Sequence, residues 1–135
     1  APHTLEEKSH AYSAAPSGGP LVQHALLAML DKVQEGRISI ERVVEKMAHA
    51  PATLFRIEER GFIREGYHAD LVLVKPEAGE VVTKSNVLYK CAWSPFEGHQ
   101  FAHQIHSTYV NGNCVYNNGQ IQEGSNGQRL AFSPR

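Results

Sequence analysis

The feature that most constrains the fold is a change of hydrophobic pattern at Gly61. Before Gly61, apolar residues recur at helical spacing, and after it short runs rich in β-branched residues alternate with turn signals. The chain has 135 residues, which is too few for a complete (β/α)8 barrel of ~250 residues. No strand pattern separates the helical segments, so their apolar stripes must pack on the β part or on polypeptide beyond this sequence.

Three helical segments are expected before Gly61. The first covers residues 20–33, with Pro20 as its first residue, and Gly36 is a plausible stop. Ser39 can cap the second, whose apolar stripe consists of Ile40, Val43, Val44 and Met47. Ala50-Pro51 is expected to end that helix, because the residue before a proline avoids the helical region, and Pro51 can open a third short piece.

The second part predicts antiparallel strands. Residues 69–74 form an apolar run typical of a buried strand. Residues 104–110 and 113–116 flank Asn111-Gly112, which indicates a hairpin because both residues accept positive φ in a type I′ turn. Asn118-Gly119 predicts a second turn. Two weaker strand candidates and one aromatic-bearing loop complete this part: residues 81–83, 86–91 and 92–103.

The two ends of the chain have no regular period. Residues 1–19 contain prolines, serines and glycines without helical or strand spacing, which predicts a loop. The tail from Glu123 is polar, and we expect a poorly ordered end there.

Composition excludes several classes of protein. Lys+Arg is 13 and Asp+Glu is 14, so the net charge of −1 supplies no basic field for nucleic acid or an acidic membrane. No apolar run approaches the ~20 residues of a membrane span. The first residues lack the pattern of a signal peptide. Two cysteines, Cys91 and Cys114, form no disulfide framework, which favours a cytoplasmic location.

Eight histidines suggest a metal site, but their spacing argues against one formed by this chain alone. His103 and His106 lie in or beside a predicted strand, where residues three apart point to opposite faces. His99 and His103 are four apart, but Pro95 and Gly98 disfavour a continuous helix there. We therefore interpret the histidines as surface and loop residues and predict no metal ligand in this chain.

The candidates for catalysis have simpler structural interpretations. Asp31 falls within a predicted helix, and Asp70 begins a strand, where it is expected to hydrogen-bond loop to strand. Residues 6–8 form a solvated charge cluster. The serines lack a Gly-x-Ser-x-Gly context, and both cysteines lie in predicted strands, where buried thiols are usually inert. The sequence thus predicts no catalytic residue.

Two further features could mark a binding surface. Residues 17–20, Ser-Gly-Gly-Pro, precede a predicted helix start, where exposed backbone N–H groups could bind an anion. Four aromatic residues in the second part are expected to pack in the core of the β part instead: Tyr89, Trp93, Phe96 and Phe101.

Five segments together resemble a known family. Ala1-Pro2-His3-Thr4 is similar to the end of the Asp-His-Ala-Pro-His motif of dihydroorotases, in the amidohydrolase superfamily. Residues 15–21 resemble the family's next substrate-facing loop, and residues 61–74 resemble its passage from barrel to second domain. Trp93-Ser94-Pro95-Phe96-Glu97-Gly98 followed by residues 109–112 resembles the family's C-terminal pattern.

The resemblance implies a fold. Residues 1–60 would be the end of a (β/α)8 metal-dependent hydrolase barrel, with its last helices. Residues 61–122 would be the C-terminal part of a small antiparallel β-sandwich domain, and residues 123–135 a polar tail. The class is therefore α/β, and the chain corresponds to the C-terminal portion of such an enzyme.

The resemblance also implies an activity and a cofactor. Dihydroorotases reversibly hydrolyse dihydroorotate to N-carbamoyl-L-aspartate in pyrimidine biosynthesis, with two zinc ions whose bound hydroxide attacks the ring amide. The zinc ligands and the catalytic aspartate would precede Ala1, so we expect no zinc and no hydrolysis from this chain alone. The expected partners are the small-molecule substrate, the N-terminal remainder of the enzyme and further copies in a homo-oligomer.

Three residues of this chain match substrate-contacting positions of the family. His3 matches the last histidine of the motif, which contacts the carboxylate of the substrate. Ser17 and Gly18 match backbone-contact positions in the following loop. An imidazole and amide N–H donors suit a carboxylate. Many family members have an aromatic residue in place of Ser17, so a backbone role is favoured there.

Three other interpretations remain open on the sequence alone. A hydantoinase or allantoinase has the same chemistry with another cyclic amide. A non-catalytic homologue would act as an interaction subunit. A free-standing β-domain binding module would leave the helices of residues 20–56 with exposed apolar stripes.

Overall fold

The computed structural model describes residues 3–124 and 127–134 of the chain. Ala1 and Pro2 of the motif lie outside the described residues. The helices are α1 Leu5–Lys8, α2 Ala25–Gln34, α3 Ile40–Val44 and α4 Ala50–Phe55, with a π-helical turn at Glu45–His49. The strands are β1 Leu71–Lys75, β2 Gln104–Val110, β3 Asn113–Asn117 and β4 Gln120–Ile121. Helices thus precede an antiparallel sheet, as the change of pattern at Gly61 predicts.

The segment 3–20 is not wholly a loop, because α1 forms one helical turn within it. Thr4 and Glu7 make a capping box: the Thr4 hydroxyl accepts the Glu7 N–H at 3.3 Å, and the Glu7 carboxylate accepts the Thr4 N–H at 2.7 Å. The expectation of an unbroken loop over residues 1–19 is therefore wrong, although the Thr-x-x-Glu pattern was present in the sequence.

The regular part of α2 begins at Ala25, so the expected start at Pro20 is wrong. The carbonyl of Leu21 accepts the N–H groups of His24 and Ala25 at 3.0 and 2.7 Å, which makes residues 21–24 a turn leading into the helix. The N–H of Gln23 donates to a tyrosine hydroxyl in a distant loop at 2.8 Å. This long-range contact, which local spacing cannot reveal, shapes the turn.

The helix over residues 40–55 continues through Pro51, so the expected break there is wrong. Pro51 has no N–H to donate, and its ring crowds the carbonyl one turn earlier. The chain accommodates this by widening into the π-turn, in which the Ala50 N–H donates to the Glu45 carbonyl five residues back. Arg56 then ends α4 in the left-handed conformation, with φ of 55°.

The sheet is a four-stranded antiparallel meander in the order β1-β2-β3-β4. The β2–β3 hairpin closes through Asn111-Gly112, where both φ angles are positive at 50° and 81°, and this confirms the predicted turn. Asn118-Gly119 closes β3–β4 in the same way, with φ of 45° and 86°. The register of β1 against β2 shifts between Leu73 and Val74.

The weaker strand candidates over residues 81–83 and 86–91 are wrong. Within the described chain, this stretch contributes one isolated bridge, between Val81 and Gln100. Side chains replace strand partners there: the Asn86 amide accepts the Thr83 N–H at 2.8 Å and donates to the Val81 carbonyl at 2.9 Å. Polar side chains thus satisfy backbone groups that a sheet would otherwise pair.

The expectation that residues 69–74 form a buried strand is correct for the strand and wrong for its burial. The side chains of Val72 and Leu73 are 45% and 49% exposed. The apolar stripe of residues 40–47 behaves similarly, because Val43 is 1% exposed whereas Ile40, Val44 and Met47 are 41–44% exposed. The described part of the chain therefore leaves these apolar surfaces largely uncovered. No helix in that part has the length and apolar character needed to cross a bilayer.

Part of the tail is held against the helical region. The N–H of Glu58 donates to the Ala131 carbonyl at 3.0 Å, and the N–H of Ser133 donates to the Arg56 carbonyl at 3.0 Å. Ile57 and Phe132 form a bridge between these bonds. The expectation of a poorly ordered end is therefore wrong for residues 131–133.

Candidate functional site

The three residues predicted to contact a substrate all lie on the segment that precedes α2. His3 is half-buried, whereas Ser17 and Gly18 are exposed. Gly18 has φ of 89°, a backbone conformation that glycine adopts without strain. In the described part of the chain, no hydrogen bond joins His3 to Ser17 or Gly18. His3 and Pro16, the residue before Ser17, are both linked to one anchor in the second half of the molecule.

That anchor is the indole of Trp93. Its Nε1–H donates to the carbonyl of His3 at 2.9 Å. The ammonium of Lys8 lies 6.0 Å from the centroid of the same ring and also donates to the carbonyl of Pro16. The indole is thus linked directly to His3 and, through Lys8, to the residue before Ser17. The side chains of residues 4–18 otherwise make few buried contacts, so these bonds determine where the segment lies.

The imidazole of His3 faces a carboxylate of its own chain. Its Nδ1 lies 3.5 Å from Oε2 of Glu7. The pKa of the Glu7 carboxyl is lowered, chiefly by the hydrogen bond from the Thr4 backbone and to a lesser extent by His3. The position beside His3 therefore accommodates a carboxylate, which is the group that the resemblance assigns to the substrate.

Ser17 and Gly18 do not form the first turn of a helix. Pro20 is buried, and regular helix begins only at Ala25. We expected residues 17–20 to present their N–H groups at the start of a helix, and this is wrong because the helix begins at Ala25. The exposed backbone of Ser17 and Gly18 can still donate hydrogen bonds as a loop.

Sequence reasoning missed the buried histidine that supports this region. His24 is 3% exposed, stacks on Phe101 at 5.5 Å and meets Tyr89 and Phe96 edge-on, each at 5.9 Å. Its Nδ1 lies 3.2 Å from the hydroxyl of Ser94, next to Trp93. Burial lowers the pKa of His24, which favours the neutral form of the ring.

The expected core role of the aromatic residues is correct for Phe101, which is 2% exposed, while the other three are half-buried. The position of His24 at the end of the turn 21–24 gave no local signal, because its partners lie about 65–77 residues further along the chain.

Asp31 also has partners outside its own helix. Oδ2 lies 2.8 Å from Nε2 of His99, and Oδ1 accepts the N–H of Ala102 at 3.0 Å. Its carboxylate therefore holds α2 against the loop of residues 92–103. Both oxygens of Asp31 contact groups of this loop, so the residue has a structural role in the fold.

Asp70 is a hydrogen-bonding group between loop and strand, as predicted. Oδ1 accepts the N–H of Asn111 at 2.8 Å, and Oδ2 pairs with the guanidinium of Arg60. Burial acts to raise the pKa of Asp70, but the bonds from Asn111 and Arg60 outweigh it and lower the pKa. Arg60 also donates to Oδ1 of Asn111 at 2.6 Å. We call these three residues the hairpin clamp.

A metal ion needs several donor side chains close together, and residues 3–124 and 127–134 do not provide such a group. Within these ranges, no group of three or more His, Cys, Asp or Glu side chains converges on one point. His103 and His106 do not share partners: Nδ1 of His103 is buried without a hydrogen bond, and Nδ1 of His106 lies 3.3 Å from the Ser107 hydroxyl. The residues described therefore do not fit a zinc site.

Two shallow concavities lie away from the segment 3–20. One of about 560 Å³ follows the start of the helix over residues 40–55, and one of about 390 Å³ lies beside Asp31. Neither is lined by His3, Ser17 or Gly18. Both are open grooves, so they do not enclose a small molecule.

Comparison with known proteins defines the class to which this arrangement belongs. The profile described as "Amidohydrolase family" matches residues 21–116, which is more than half of the chain. The chain therefore belongs to the amidohydrolase family.

Three individual proteins show which members of the family this chain is similar to. A dihydroorotase from Halobacterium salinarum is 42% identical over 99 residues, covering 73% of this chain and 24% of the relative. An allantoinase from Bacillus velezensis is 39% identical over 103 residues, covering 76% of this chain and 22% of the relative. A solved structure of a D-hydantoinase (dihydropyrimidinase) from Thermus sp. superposes with a TM-score of 0.78 at 26% identity, covering 93% of this chain and 28% of that one. The resemblance to dihydroorotases is confirmed, and the chain spans about a quarter of the length of the curated relatives it matches.

Proposed function

We propose that this chain is the C-terminal part of a cyclic amidohydrolase and that its substrate is dihydroorotate, hydrolysed reversibly to N-carbamoyl-L-aspartate. The observation that carries the proposal is the 42% identity to a dihydroorotase over 99 residues. The motif resemblance of residues 1–4 and 93–98 supports dihydroorotate over other cyclic amides. Such an enzyme would act in pyrimidine biosynthesis.

Within that enzyme, residues 1–60 would end a (β/α)8 barrel and residues 61–122 would belong to a β-sandwich domain, followed by the tail 123–135. The uncovered apolar side chains support this arrangement. Ile40, Val44 and Met47 on the helix, and Val72 and Leu73 on β1, are each at least 41% exposed. Surfaces of this kind are usually covered by further polypeptide. We infer that the N-terminal remainder of the enzyme covers them.

The substrate contacts of this chain would be His3, Ser17 and Gly18. The imidazole of His3 would donate a hydrogen bond to the substrate carboxylate, displacing Glu7, which lies 3.5 Å away. The exposed N–H groups of Ser17 and Gly18 would donate to the same carboxylate or to the ring. These residues bind and orient the substrate, and none of them is assigned a proton transfer.

Zinc would be held outside the residues described here. The family resemblance implies two zinc ions, whereas no metal-binding group of three or more side chains occurs in residues 3–124 and 127–134. We therefore assign no step of the reaction to a metal on this chain and expect the chain alone to be inactive. The two unpaired cysteines, Cys91 and Cys114, support a cytoplasmic location, and we expect a homo-oligomer.

A second candidate is a hydantoinase or allantoinase activity. The 39% identity to an allantoinase favours it, because this value is close to the 42% identity to the dihydroorotase. The superposition on a D-hydantoinase, with a TM-score of 0.78, supports the same class of activity. A non-catalytic homologue acting as an interaction subunit is the remaining alternative, and it would bind a partner enzyme without turnover in any assembly.

The test is an assay of the complete polypeptide that carries this sequence, with dihydroorotate, hydantoin and allantoin as parallel substrates. We expect turnover of dihydroorotate alone. The His3→Ala variant should raise KM for dihydroorotate at least tenfold, since one charge-assisted hydrogen bond contributes about 1.5–3 kcal/mol. Preferred turnover of allantoin or hydantoin would select the second candidate. Hydrolysis by the 135-residue chain alone would contradict the placement of the zinc ligands.

A further inference from the structure

The chain closes its sheet with two Asn-Gly turns of the same geometry but very different surroundings. Asn111-Gly112 joins β2 to β3, and Asn118-Gly119 joins β3 to β4, and all four residues have positive φ. Asn-Gly sequences are prone to deamidation. Because glycine has no side chain, its backbone nitrogen can readily attack the side-chain amide of the preceding asparagine. The structure determines which of the two asparagines is protected.

Asn111 and Gly112 are held by hydrogen bonds to Arg60, Asp70 and Ala69. Its side-chain Oδ1 accepts a hydrogen bond from Arg60 at 2.6 Å, and its N–H donates to Asp70 at 2.8 Å. The nitrogen of Gly112, which would be the nucleophile, donates to the carbonyl of Ala69 at 3.0 Å. The side chain of Arg60 is 10% exposed and that of Asp70 is 35% exposed, so within the clamp Arg60 is the more shielded from water.

Asn118 has no such support. Its side chain is exposed and makes no hydrogen bond to any residue in the described ranges, although its backbone N–H donates to the His106 carbonyl at 2.8 Å. The space around Gly119 is open, with nothing within 4 Å of the position of a Cβ atom. In those same ranges, the nitrogen of Gly119 donates no hydrogen bond.

The two turns also differ in how readily they open. A type I′ turn holds the reacting atoms apart, so the turn must open locally before reaction. Opening the second turn releases β4, which has two residues, both exposed, paired to Tyr116 and Asn117. Opening the first turn separates a seven-residue strand from a five-residue strand and breaks the clamp.

We propose that Asn118 is a site of spontaneous deamidation and isoaspartate formation, and that Arg60 and Asp70 protect Asn111 from the same reaction. The nitrogen of Gly119 attacks Cγ of Asn118, forming a succinimide ring as the C–N bond of the side-chain amide breaks. The proton lost by the glycine nitrogen leaves with the amide nitrogen as ammonia. One water molecule then opens the ring at either carbonyl, giving aspartate or isoaspartate at position 118.

Each event replaces a neutral amide by a carboxylic acid and adds about one dalton to the chain. The isoaspartate product also inserts a methylene group into the backbone. Since a side-chain period of two residues sets the register of a strand, this insertion is expected to unpair β4 from β3.

The experiment uses the complete polypeptide that carries this sequence, in which Asn126→Gln removes the third Asn-Gly sequence of this chain, and incubates it at neutral to mildly alkaline pH. Fragmentation mass spectrometry then gives the rate at each asparagine. The same measurement in concentrated guanidinium supplies the intrinsic rates, since both sequences are Asn-Gly. We expect site 118 to react at least about tenfold faster than site 111 in the folded chain, and at a similar rate when unfolded.

Two variants test the cause of the difference. Asn118→Gln should abolish the fast mass gain, because glutamine would have to close a larger ring. Arg60→Met should raise the rate at Asn111 while leaving the rate at Asn118 unchanged. If Arg60→Met raises both rates together, global unfolding is responsible and protection by the clamp is refuted. Equal rates at the two sites in the folded chain, or a faster rate at Asn111, would overturn the proposal.

Discussion

Oδ2 of Asp31 lies 2.8 Å from Nε2 of His99, although 68 residues separate the two in the sequence. The second oxygen of the carboxylate accepts the N–H of Ala102 at 3.0 Å. The side chain of Asp31 is 16% exposed, and that of His99 is 47% exposed. Asp31 thus ties α2 to the loop that carries Trp93 and the aromatic residues.

Replacing Asp31 by alanine should destabilise the chain by about 1–3 kcal/mol, because the Ala102 N–H and the His99 ring both lose an acceptor in a partly buried place. Urea unfolding followed by far-UV circular dichroism measures this. The control is Glu35→Gln, whose carboxylate is 41% exposed and pairs with Lys32 and Arg37. Exposed pairs contribute about 0–1 kcal/mol, so a loss in Asp31→Ala no larger than in this control would contradict the prediction.

The burial of His24 predicts a dependence of stability on pH. Its pKa in the folded chain is lowered by burial below the ordinary value of 6.5. The unfolded chain therefore binds a proton more readily than the folded chain, and stability is full above pH 6.5 and falls as the pH decreases. Urea midpoints between about pH 5 and 7.5 measure the slope.

The contribution of His24 is isolated by two variants. His24→Phe keeps a ring beside Phe101 but cannot titrate, so its stability should vary less with pH than that of the parent chain over this interval. His10→Gln replaces an exposed histidine and serves as the control for removing an imidazole from the chain. A slope unaltered by His24→Phe would show that other groups cause the dependence.

The lowered pKa of Asp70, in the hairpin clamp, predicts a second loss of folding stability at a more acidic pH. Because its pKa is lowered from 3.8, its contribution to stability is present above that pH and is lost as the pH falls through the lowered value. At neutral pH, Asp70→Asn should cost about 1–3 kcal/mol, since it weakens the acceptor for Asn111 and leaves Arg60 without its charge partner. Glu77→Gln, which breaks an exposed pair with Lys75, should change the urea midpoint little.

The indole of Trp93 is expected to determine the order of residues 3–20. Trp93→Phe keeps an aromatic face for Lys8 but removes the N–H that donates to the His3 carbonyl at 2.9 Å. Amide hydrogen exchange in peptides from residues 3–20 should therefore become faster, by about tenfold for a bond contributing roughly 1.4 kcal/mol. Peptides from β2 and β3 serve as the internal control. Acceleration of exchange in the strands as well would indicate a general loss of stability instead.

The parts of the fold that the sequence predicts correctly depend on neighbouring residues. The two Asn-Gly turns follow from the positive φ that asparagine and glycine accept, and β2 and β3 follow because they flank the first of these turns. The hydrogen-bonding role of Asp70 follows from its place before β1, but its partner Asn111 lies 41 residues further along the chain and is not predicted. The two turns need no knowledge of distant residues.

The parts that the sequence does not predict are determined by distant partners. The side chain of Gln23 accepts the Leu88 N–H at 2.8 Å and donates to the Asn86 carbonyl at 2.9 Å, which takes the place of a strand over residues 86–91. The backbone N–H of Gln23 also bonds the Tyr89 hydroxyl in the turn that precedes α2, and regular helix therefore begins only at Ala25. The helix passes Pro51 because a π-turn absorbs the clash, and local preference does not reveal that alternative.

The sequence predicts which residues form the candidate site but not the contacts that hold them in place. Motif resemblance alone selects His3, Ser17 and Gly18, because their chemistry is common in loops. Their shared support, Trp93 and Lys8, is visible only in three dimensions: the indole and the segment it holds are 90 residues apart. A pattern within a few residues cannot report such a contact.

Gly61, where the hydrophobic pattern changes, lies directly against the helix over residues 40–55. A Cβ atom at this position would lie 2.3 Å from Cβ of Ala52 and 2.9 Å from the carbonyl oxygen of Ala48, and the residue has φ of +80°. Gly61→Ala therefore combines backbone strain with a clash against the helix, and we expect a loss of about 2–4 kcal/mol. The matched control is Gly36→Ala, which has φ of +72° but nothing within 4 Å of the added Cβ. It should lose only the strain of about 1–2 kcal/mol. Equal urea midpoints for the two variants would mean that the close approach of Gly61 to the helix does not constrain the fold.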